Sequence, residues 1–164
     1  MHFTSNGSEL DYTFMDFCDW AACNRRNKAV LQLLMEYVVG RALGCVDGAD
    51  RADKCSMHEC QYMRNGRKVA VRTGSCVESL YPEHTDWIGF GVGHASPDVF
   101  IFCVNRSMQM FSIPTNLDVW DFYVLPGSAL RPFSKTNVIT LPALLLMQPT
   151  KCDFNSIAQA VAGI

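Results

Sequence analysis

The sequence has little net charge, and no stretch of it forms a basic stripe. Fourteen lysine and arginine residues stand against sixteen acidic residues, so the formal charge of the 164-residue chain is −2. The electrostatic attraction to phosphates that dominates sequence-independent nucleic-acid binding should therefore be weak. A local patch on an acidic chain can still bind DNA, but the composition lowers that expectation.

Long hydrophobic runs are also missing. The longest one, near Leu141 to Met147, is too short to span a bilayer. The first residues contain no cationic segment followed by an apolar run, so no signal peptide is predicted. We therefore expect a cytoplasmic protein without a membrane partner, whose eight cysteines are mostly buried thiols and need no disulfide for stability.

Internal repeats, linkers and low-complexity stretches are absent as well. The chain is 49% hydrophobic and 18% charged, which is typical of a globular protein with a well-buried core. Its length fits one domain. We expect a single domain over residues 1–164, with residues 1–12 as a frayed N-terminus.

The strongest local signal lies within Met57–Ser79, where Asn65-Gly66 favours a two-residue type I′ hairpin turn. Counting outward from this turn pairs Tyr62 with Val69. Because side chains alternate between the faces of a sheet, one face should be a packing face. Its members would be Cys60, Tyr62, Val69 and Val71.

The other face of this hairpin should carry a carboxylate, an amide and a guanidinium around a small gap. These residues are Glu59, Gln61, Ala70 and Arg72, with Gln61 opposite Ala70 and Glu59 opposite Arg72. The simpler interpretation is a surface hairpin whose Glu59–Arg72 pair is worth ~1 kcal/mol or less.

Helical spacing predicts helices over Phe14–Cys23 and Lys28–Leu43, the second stopped by Gly44. The second helix is broadly apolar, apart from a narrow polar strip at four-residue spacing formed by Lys28, Gln32 and Glu36. The simpler interpretation of Glu36 is a solvated carboxylate paired with Lys28 or Gln32.

The second half of the chain is predicted to form strands followed by helices. Strands are predicted at Trp87–Val92, in the continuously apolar DVFIFCV segment, at Trp120–Leu125 and at Asn137–Leu141. Continuous hydrophobicity places DVFIFCV at the centre of a sheet covered on both faces. A last helix is capped by Asp153 or Asn155. The order indicates an α/β or α+β fold with a mixed four- to five-stranded sheet, a central hairpin and flanking helices.

Several of these segments together resemble the PD-(D/E)XK nuclease superfamily, which has the restriction-endonuclease-like fold. The resemblance covers roughly residues 14–147 and rests on KAVLQLLMEYVVGRALG, SPDVFIFCV, LDVWDFYVLPGSAL and SKTNVITL. It implies an aspartate on the first hairpin strand and Glu-x-Lys on the second. The aspartate and the glutamate, often with a helix glutamate, hold Mg²⁺, which activates water against a phosphodiester, and the lysine helps to orient that water.

The catalytic motif of that family is degenerate in this chain. Glu59 matches the aspartate position, Ala70 replaces the glutamate, Arg72 replaces the lysine, and Glu36 matches the helix glutamate. Ala70 supplies no oxygen ligand, and an arginine cannot give up a proton as a lysine can. We therefore expect Arg72 to stand where the metal would lie, in a charge cluster with Glu59 and Glu36.

The resemblance leads to three hypotheses about function. The first is a non-catalytic derivative of the nuclease fold that binds a protein or double-stranded DNA, as in conflict between a phage or mobile element and its host. The second is a Mg²⁺-dependent DNA endonuclease using Glu36, Glu59, Gln61 and Arg72, with the metal on Glu36, Glu59 and Gln61. The third is a purely structural interaction module. The non-catalytic hypothesis implies no cofactor. The sequence does not decide whether the protein forms a homodimer.

Two cysteine and histidine groups provide weaker alternatives. Cys55, His58 and Cys60 have ligand types that suit Zn²⁺, with Cys45 as a conceivable fourth ligand. Cys76 with His84 or His94 could form a thiol nucleophile, but nothing in the sequence orients them.

Overall fold

The structure is a computed structural model, and it describes residues 2–5, 8–13, 15, 28–45, 62–75, 88–92, 96–106, 116–133 and 138–164. The strands are β1 (His2–Ser5), β2 (Ser8–Thr13), β3 (Tyr62–Arg64), β4 (Arg67–Ser75), β5 (Gly89–Gly91), β6 (Val99–Asn105), β7 (Trp120–Pro126), β8 (Val138–Thr140) and β9 (Thr150–Cys152). The α-helices are α1 (Lys28–Leu43), α2 (Leu141–Leu146) and α3 (Ile157–Ala162), and short 3₁₀ segments cover Leu117–Val119, Gly127–Phe133 and Phe154–Ser156.

A mixed α/β structure is thereby established, with a five-stranded mixed sheet in the order β3-β4-β6-β7-β9. The pairing of β4 with β6 is parallel, and the other neighbours are antiparallel. The hairpin was expected at the centre of the sheet, and this was wrong. It stands at one end of the strand order, because β6 pairs with the edge of β4 that faces away from β3.

The hairpin turn itself is confirmed. Asn65 and Gly66 have φ values of 50° and 76°, as a type I′ turn requires. Tyr62 pairs with Val69 and Arg64 pairs with Arg67, which is the register obtained by counting outward. The local sequence therefore predicts both the turn and the alignment of the two strands.

Helix α1 begins and ends where the spacing of apolar residues predicts. Gly44 follows its last turn with a φ of 70°, a conformation that glycine adopts without strain. The amide of Cys45 then donates to the carbonyl of Gly40 at 2.8 Å, which satisfies a carbonyl at the helix end. Met35 and Val39 point into the core and are fully buried.

Strand β6 is central, as its sequence predicts, and every one of its residues is buried. One face of the main sheet packs against α1 and α3 through an apolar cluster that includes Val69, Val71, Ile101, Phe122 and Ile157. The opposite face packs against β5, β8 and α2 through Phe90, Phe100, Phe102, Ile139 and Leu144. The hairpin strand β4 is therefore covered on both sides, and the interpretation as a surface hairpin does not hold for Ala70 and Arg72.

The N-terminal expectation differs from the structure. β1 and β2 pair as antiparallel strands, with Ser5 opposite Ser8. The two residues between them are Asn6 and Gly7, the same dipeptide that marks the other hairpin. The polar composition of residues 1–12 concealed this signal. Apart from Met15, the helix predicted over Phe14–Cys23 lies outside the described residues.

Candidate functional site

Arg72 is held between the two layers of the fold. Its side chain lies on the same face of β4 as Ala70, and the residue is only 8% exposed. Its Nε donates to the carbonyl of Gly91 at 2.6 Å, and its Nη1 donates to the carbonyl of Val71 at 2.8 Å. The guanidinium carbon lies 5.6 Å from the ring centre of Phe100, within range of a cation–π interaction. These contacts connect the main sheet to β5.

Ala70 occupies the position where the resemblance implies an acidic metal ligand. The residue is 0% exposed and belongs to the apolar cluster between the main sheet and the β5–β8 layer. Its partner on the neighbouring strand β6 is Phe100. Apolar side chains of the described residues thus pack where the small gap was expected, and Ala70 itself offers no oxygen ligand.

Glu36 lies half-buried on α1 and is paired with Gln32, one of the two partners considered for it. Gln32 Nε2 donates to Glu36 Oε1 at 2.9 Å and to the carbonyl of Val71 at 2.9 Å. The hydroxyl of Tyr62 donates to the backbone carbonyl of Glu36 at 2.6 Å. These bonds anchor the polar strip of α1 to the hairpin.

The carbonyl of Val71 is the point where the predicted site residues meet. It accepts from Gln32, which comes from α1, and from Arg72, whose side chain starts on the opposite face of the sheet. Among the described residues, Glu36 and Arg72 are therefore connected through Gln32 and Val71. Sequence reasoning placed Gln32 on the polar strip but missed its bridging role, because the partner is a backbone atom.

Two members of the predicted site, Glu59 and Gln61, lie outside the described residues, so the charge cluster with Glu59 stays a prediction. The same holds for Cys55, His58 and Cys60, and for Cys76 with His84 or His94. Within the part of the chain that the structure describes, no group of three or more His, Cys, Asp or Glu side chains could hold a metal ion.

The cysteines that the structure describes, Cys45, Cys103 and Cys152, are not joined in disulfides to one another. Burial raises the pKa of Cys103, and the nearby Cys152 raises it further. Partial burial and then the charge of Asp153 raise the pKa of Cys152 to about 11. Because the thiolate is the reactive form, Cys103 and Cys152 are poor nucleophiles near neutral pH.

A second polar group, which sequence reasoning missed, surrounds Asp121 on β7. Its Oδ1 lies 3.1 Å from Arg106 Nε, and its Oδ2 lies 3.0 Å from Lys151 Nζ. Tyr123 donates its hydroxyl to Oδ2 at 3.3 Å. The register of β7 with β9 pairs Tyr123 with Lys151, so these groups meet through long-range strand pairing that the local sequence does not encode. A buried carboxylate held by two exposed cations is adequately explained as a structural contact.

One buried hydroxyl on β4 has no partner within the described part of the chain. Thr73 is 4% exposed, and its Oγ1 makes no hydrogen bond to any described residue. It lies two residues beyond Val71, on the face of the sheet that packs against α1.

None of the helices that the structure describes is long and apolar enough to cross a membrane. Comparisons of the chain with protein-family models, with curated proteins and with solved structures found no match.

Proposed function

We propose that the protein is a non-catalytic derivative of the PD-(D/E)XK nuclease fold that acts in the cytoplasm by binding a nucleic acid or a protein without cutting it. The observation that carries this proposal is the packing of Arg72, which is buried and donates to two backbone carbonyls. The mixed sheet, with a hairpin strand paired in parallel to the central strand, is compatible with this fold.

A metal-dependent nuclease needs carboxylate oxygens that face a space large enough for a hydrated cation and a phosphate. At position 70 this protein has a methyl group with no exposure. At position 72 it has a guanidinium whose donors are directed at Gly91 and Val71. Both positions therefore contribute to cohesion between layers, and neither contributes a ligand or a proton donor for hydrolysis.

The contacts of Glu36 support the same interpretation. Its Oε1 accepts from Gln32, and the same amide group of Gln32 donates to the carbonyl of Val71. A glutamate that served as a metal ligand would have to exchange this contact for the cation. In the non-catalytic protein that we propose, Glu36 instead orients the amide of Gln32, which joins α1 to β4.

The test is a calorimetric titration of the protein with Mg²⁺ and with Mn²⁺, together with a plasmid-nicking assay in each metal. We expect no heat of binding at the hairpin and no nicking. The double variant Ala70→Glu with Arg72→Lys restores the family motif, and we expect it to bind Mn²⁺ more strongly than the parent if it remains folded by circular dichroism.

The opposite result would make the protein an endonuclease. If the unmodified protein binds Mg²⁺ tightly and nicks plasmid DNA, and if Glu59→Ala abolishes both, the non-catalytic proposal is wrong. A contaminating nuclease is recognised because its activity would survive Glu59→Ala.

A further inference from the structure

We infer that the hairpin end of the main sheet is a contact surface for the phosphodiester backbone of a nucleic acid. The inference rests on the proposed function, because it names the surface through which a non-catalytic protein would hold its partner. The surface, which we call the hairpin-end surface, consists of Arg41, Arg64, Arg67 and Lys68.

The hairpin turn gathers three of these cations within five residues. Arg64 and Arg67 are direct cross-strand partners, so their side chains project from the same face of the hairpin. Lys68 is exposed and projects from the other face. Like charges directly opposite each other destabilise a hairpin, which makes this pair costly unless an anion compensates it.

Helix α1 adds the fourth cation at the same end of the sheet. Arg41 lies in the last turn of α1 and is exposed. Gly44, which ends the helix, adjoins the hairpin: the Cβ position built on Gly44 lies 3.6 Å from Arg64 Nη1. The end of α1, with Arg41 in its last turn, therefore lies beside a hairpin that is more than twenty positions later in the sequence, and composition alone could not indicate this.

The hairpin-end surface is only partly neutralised by its described surroundings. Asp98 is the carboxylate described next to it, and its Oδ2 accepts from the backbone amide of Lys68 at 2.7 Å. Among the described residues, no ion pair joins a carboxylate to Arg41, Arg64 or Lys68. Among the described residues, the four cations of the hairpin-end surface thus lie near one carboxylate, Asp98, which accepts from a backbone amide.

A purely structural account explains part of this arrangement. Arg67 Nη1 donates to the carbonyl of Val161 at 3.3 Å, in the last turn of α3. Cations near the C-terminal end of a helix are favoured by its dipole, by roughly 0.3–1 kcal/mol. Arg67 has such a role, and so has Arg41 in the last turn of α1, but the exposed Lys68 side chain projects from the opposite face of the hairpin and is not explained in this way.

A nucleic acid fits the surface better than an acidic protein does. Tyr37 precedes Arg41 by four residues on α1, so the two side chains are neighbours on the helix surface, and Tyr37 is 56% exposed. An exposed aromatic ring beside a guanidinium can stack on a base while the cations bind phosphates. The Asn65-Gly66 turn is exposed between the cations, and a two-stranded ribbon of this kind fits the major groove of a duplex.

The experiment measures binding of a fluorescein-labelled DNA duplex and of the corresponding single strand by fluorescence anisotropy, at several salt concentrations, without divalent metal. The double variant Arg41→Gln/Lys68→Gln removes two cations that are exposed and make no described hydrogen bond through their side chains. We expect it to bind at least about tenfold more weakly, with the slope of log affinity against log salt reduced by about 1 per lost contact. Tyr37→Ala should weaken binding of the single strand more than that of the duplex.

The matched control is Arg106→Gln/Lys151→Gln, which removes the same charge at Asp121, away from the hairpin end. It should bind as the parent does, and thermal melts should show that both double variants are folded. If the two double variants lose affinity equally, or if polyglutamate competes with DNA as well as a DNA polyanion does, the inference is wrong.

The two proposals fail in different ways. DNA that binds to the parent without cleavage, and equally well to Arg41→Gln/Lys68→Gln, overturns the hairpin-end surface and leaves the non-catalytic function intact. Metal-dependent cleavage abolished by Glu59→Ala overturns the proposed function, whatever the hairpin-end variants do. If neither DNA form binds to the parent, the inference about the surface is also overturned.

Discussion

Gly74 on β4 packs directly against the layer of β5 and β8, and we predict that Gly74→Ala destabilises the protein. A Cβ at this position would lie 2.6 Å from Ile88 Cγ2 and 2.7 Å from Phe90 Cε1. Both side chains are buried, and the Phe90 ring makes an edge contact with Phe102 at 5.1 Å between ring centres, so neither can move aside freely.

Overpacking of a well-packed core costs about 1–3 kcal/mol. For a chain of this length, 1 kcal/mol changes the melting temperature by about 2–4 °C, so the expected decrease is about 2–12 °C. Gly91→Ala provides the matched control, because a Cβ at Gly91 meets no atom of the described residues within 4 Å and the residue is exposed. We expect the control to change the free energy of unfolding by less than about 1 kcal/mol. The expected direction is stabilisation, because alanine reduces the conformational entropy of the unfolded chain.

The assay is urea unfolding followed by tryptophan fluorescence, supported by thermal melts monitored by circular dichroism. A lower midpoint with an unchanged slope for Gly74→Ala indicates a loss of stability without a change in the exposed surface. If Gly74→Ala and Gly91→Ala unfold at the same midpoint, the β5–β8 layer does not pack on β4 as described.

Three further outcomes are expected from the buried polar groups. Arg72→Met should reduce the free energy of unfolding by about 2–4 kcal/mol in urea titrations, because two carbonyls lose a charged donor, and Arg72→Lys should recover part of the loss. Thr73→Val should raise the free energy of unfolding by about 1 kcal/mol, since it removes a buried hydroxyl that has no partner among the described residues; a decrease would indicate that the hydroxyl is bonded. The pKa of Cys152 near 11 predicts that its alkylation by iodoacetamide, followed by mass spectrometry, is slow at neutral pH and accelerates about tenfold per pH unit below that value. The folded state holds this proton more tightly than the unfolded chain does. The contribution of this group to the free energy of unfolding is therefore fully present below about pH 9 and is lost as the pH rises through about 11.

The features that were predicted correctly are those encoded by neighbouring residues. The Asn65-Gly66 turn fixes the hairpin register, because both residues accept positive φ and the alternation of side chains then follows. The ends of α1 follow from the apolar periodicity and from Gly44. The pairing of Glu36 with Gln32 follows from their four-residue spacing on one helix face.

The incorrect expectations concern contacts between distant parts of the chain. The sequence predicts a polar second face of β4, because this face carries Arg72. In the structure, side chains from residues 88–92 and 138–144 pack on this face, and no local sequence pattern connects these segments to β4. The same limitation hid the meeting of Gln32 and Arg72 at the carbonyl of Val71, since a backbone acceptor has no signature in the sequence. The position of Arg41 at the hairpin end depends in turn on the packing of α1 across β4, which places Gly44 beside Arg64.

The parallel pairing of β4 with β6 sets the order in which the protein can fold. The hairpin forms by closing a two-residue turn. The central ladder can form only after Val69 has met Val99, which lies thirty positions later in the chain. Closing a loop of that length costs roughly 3 kcal/mol of chain entropy, which is recovered only when several strand pairs and the flanking layers are in place. We therefore expect the hairpin and α1 to form early and the β4–β6 ladder to limit the folding rate, as non-local contacts generally do.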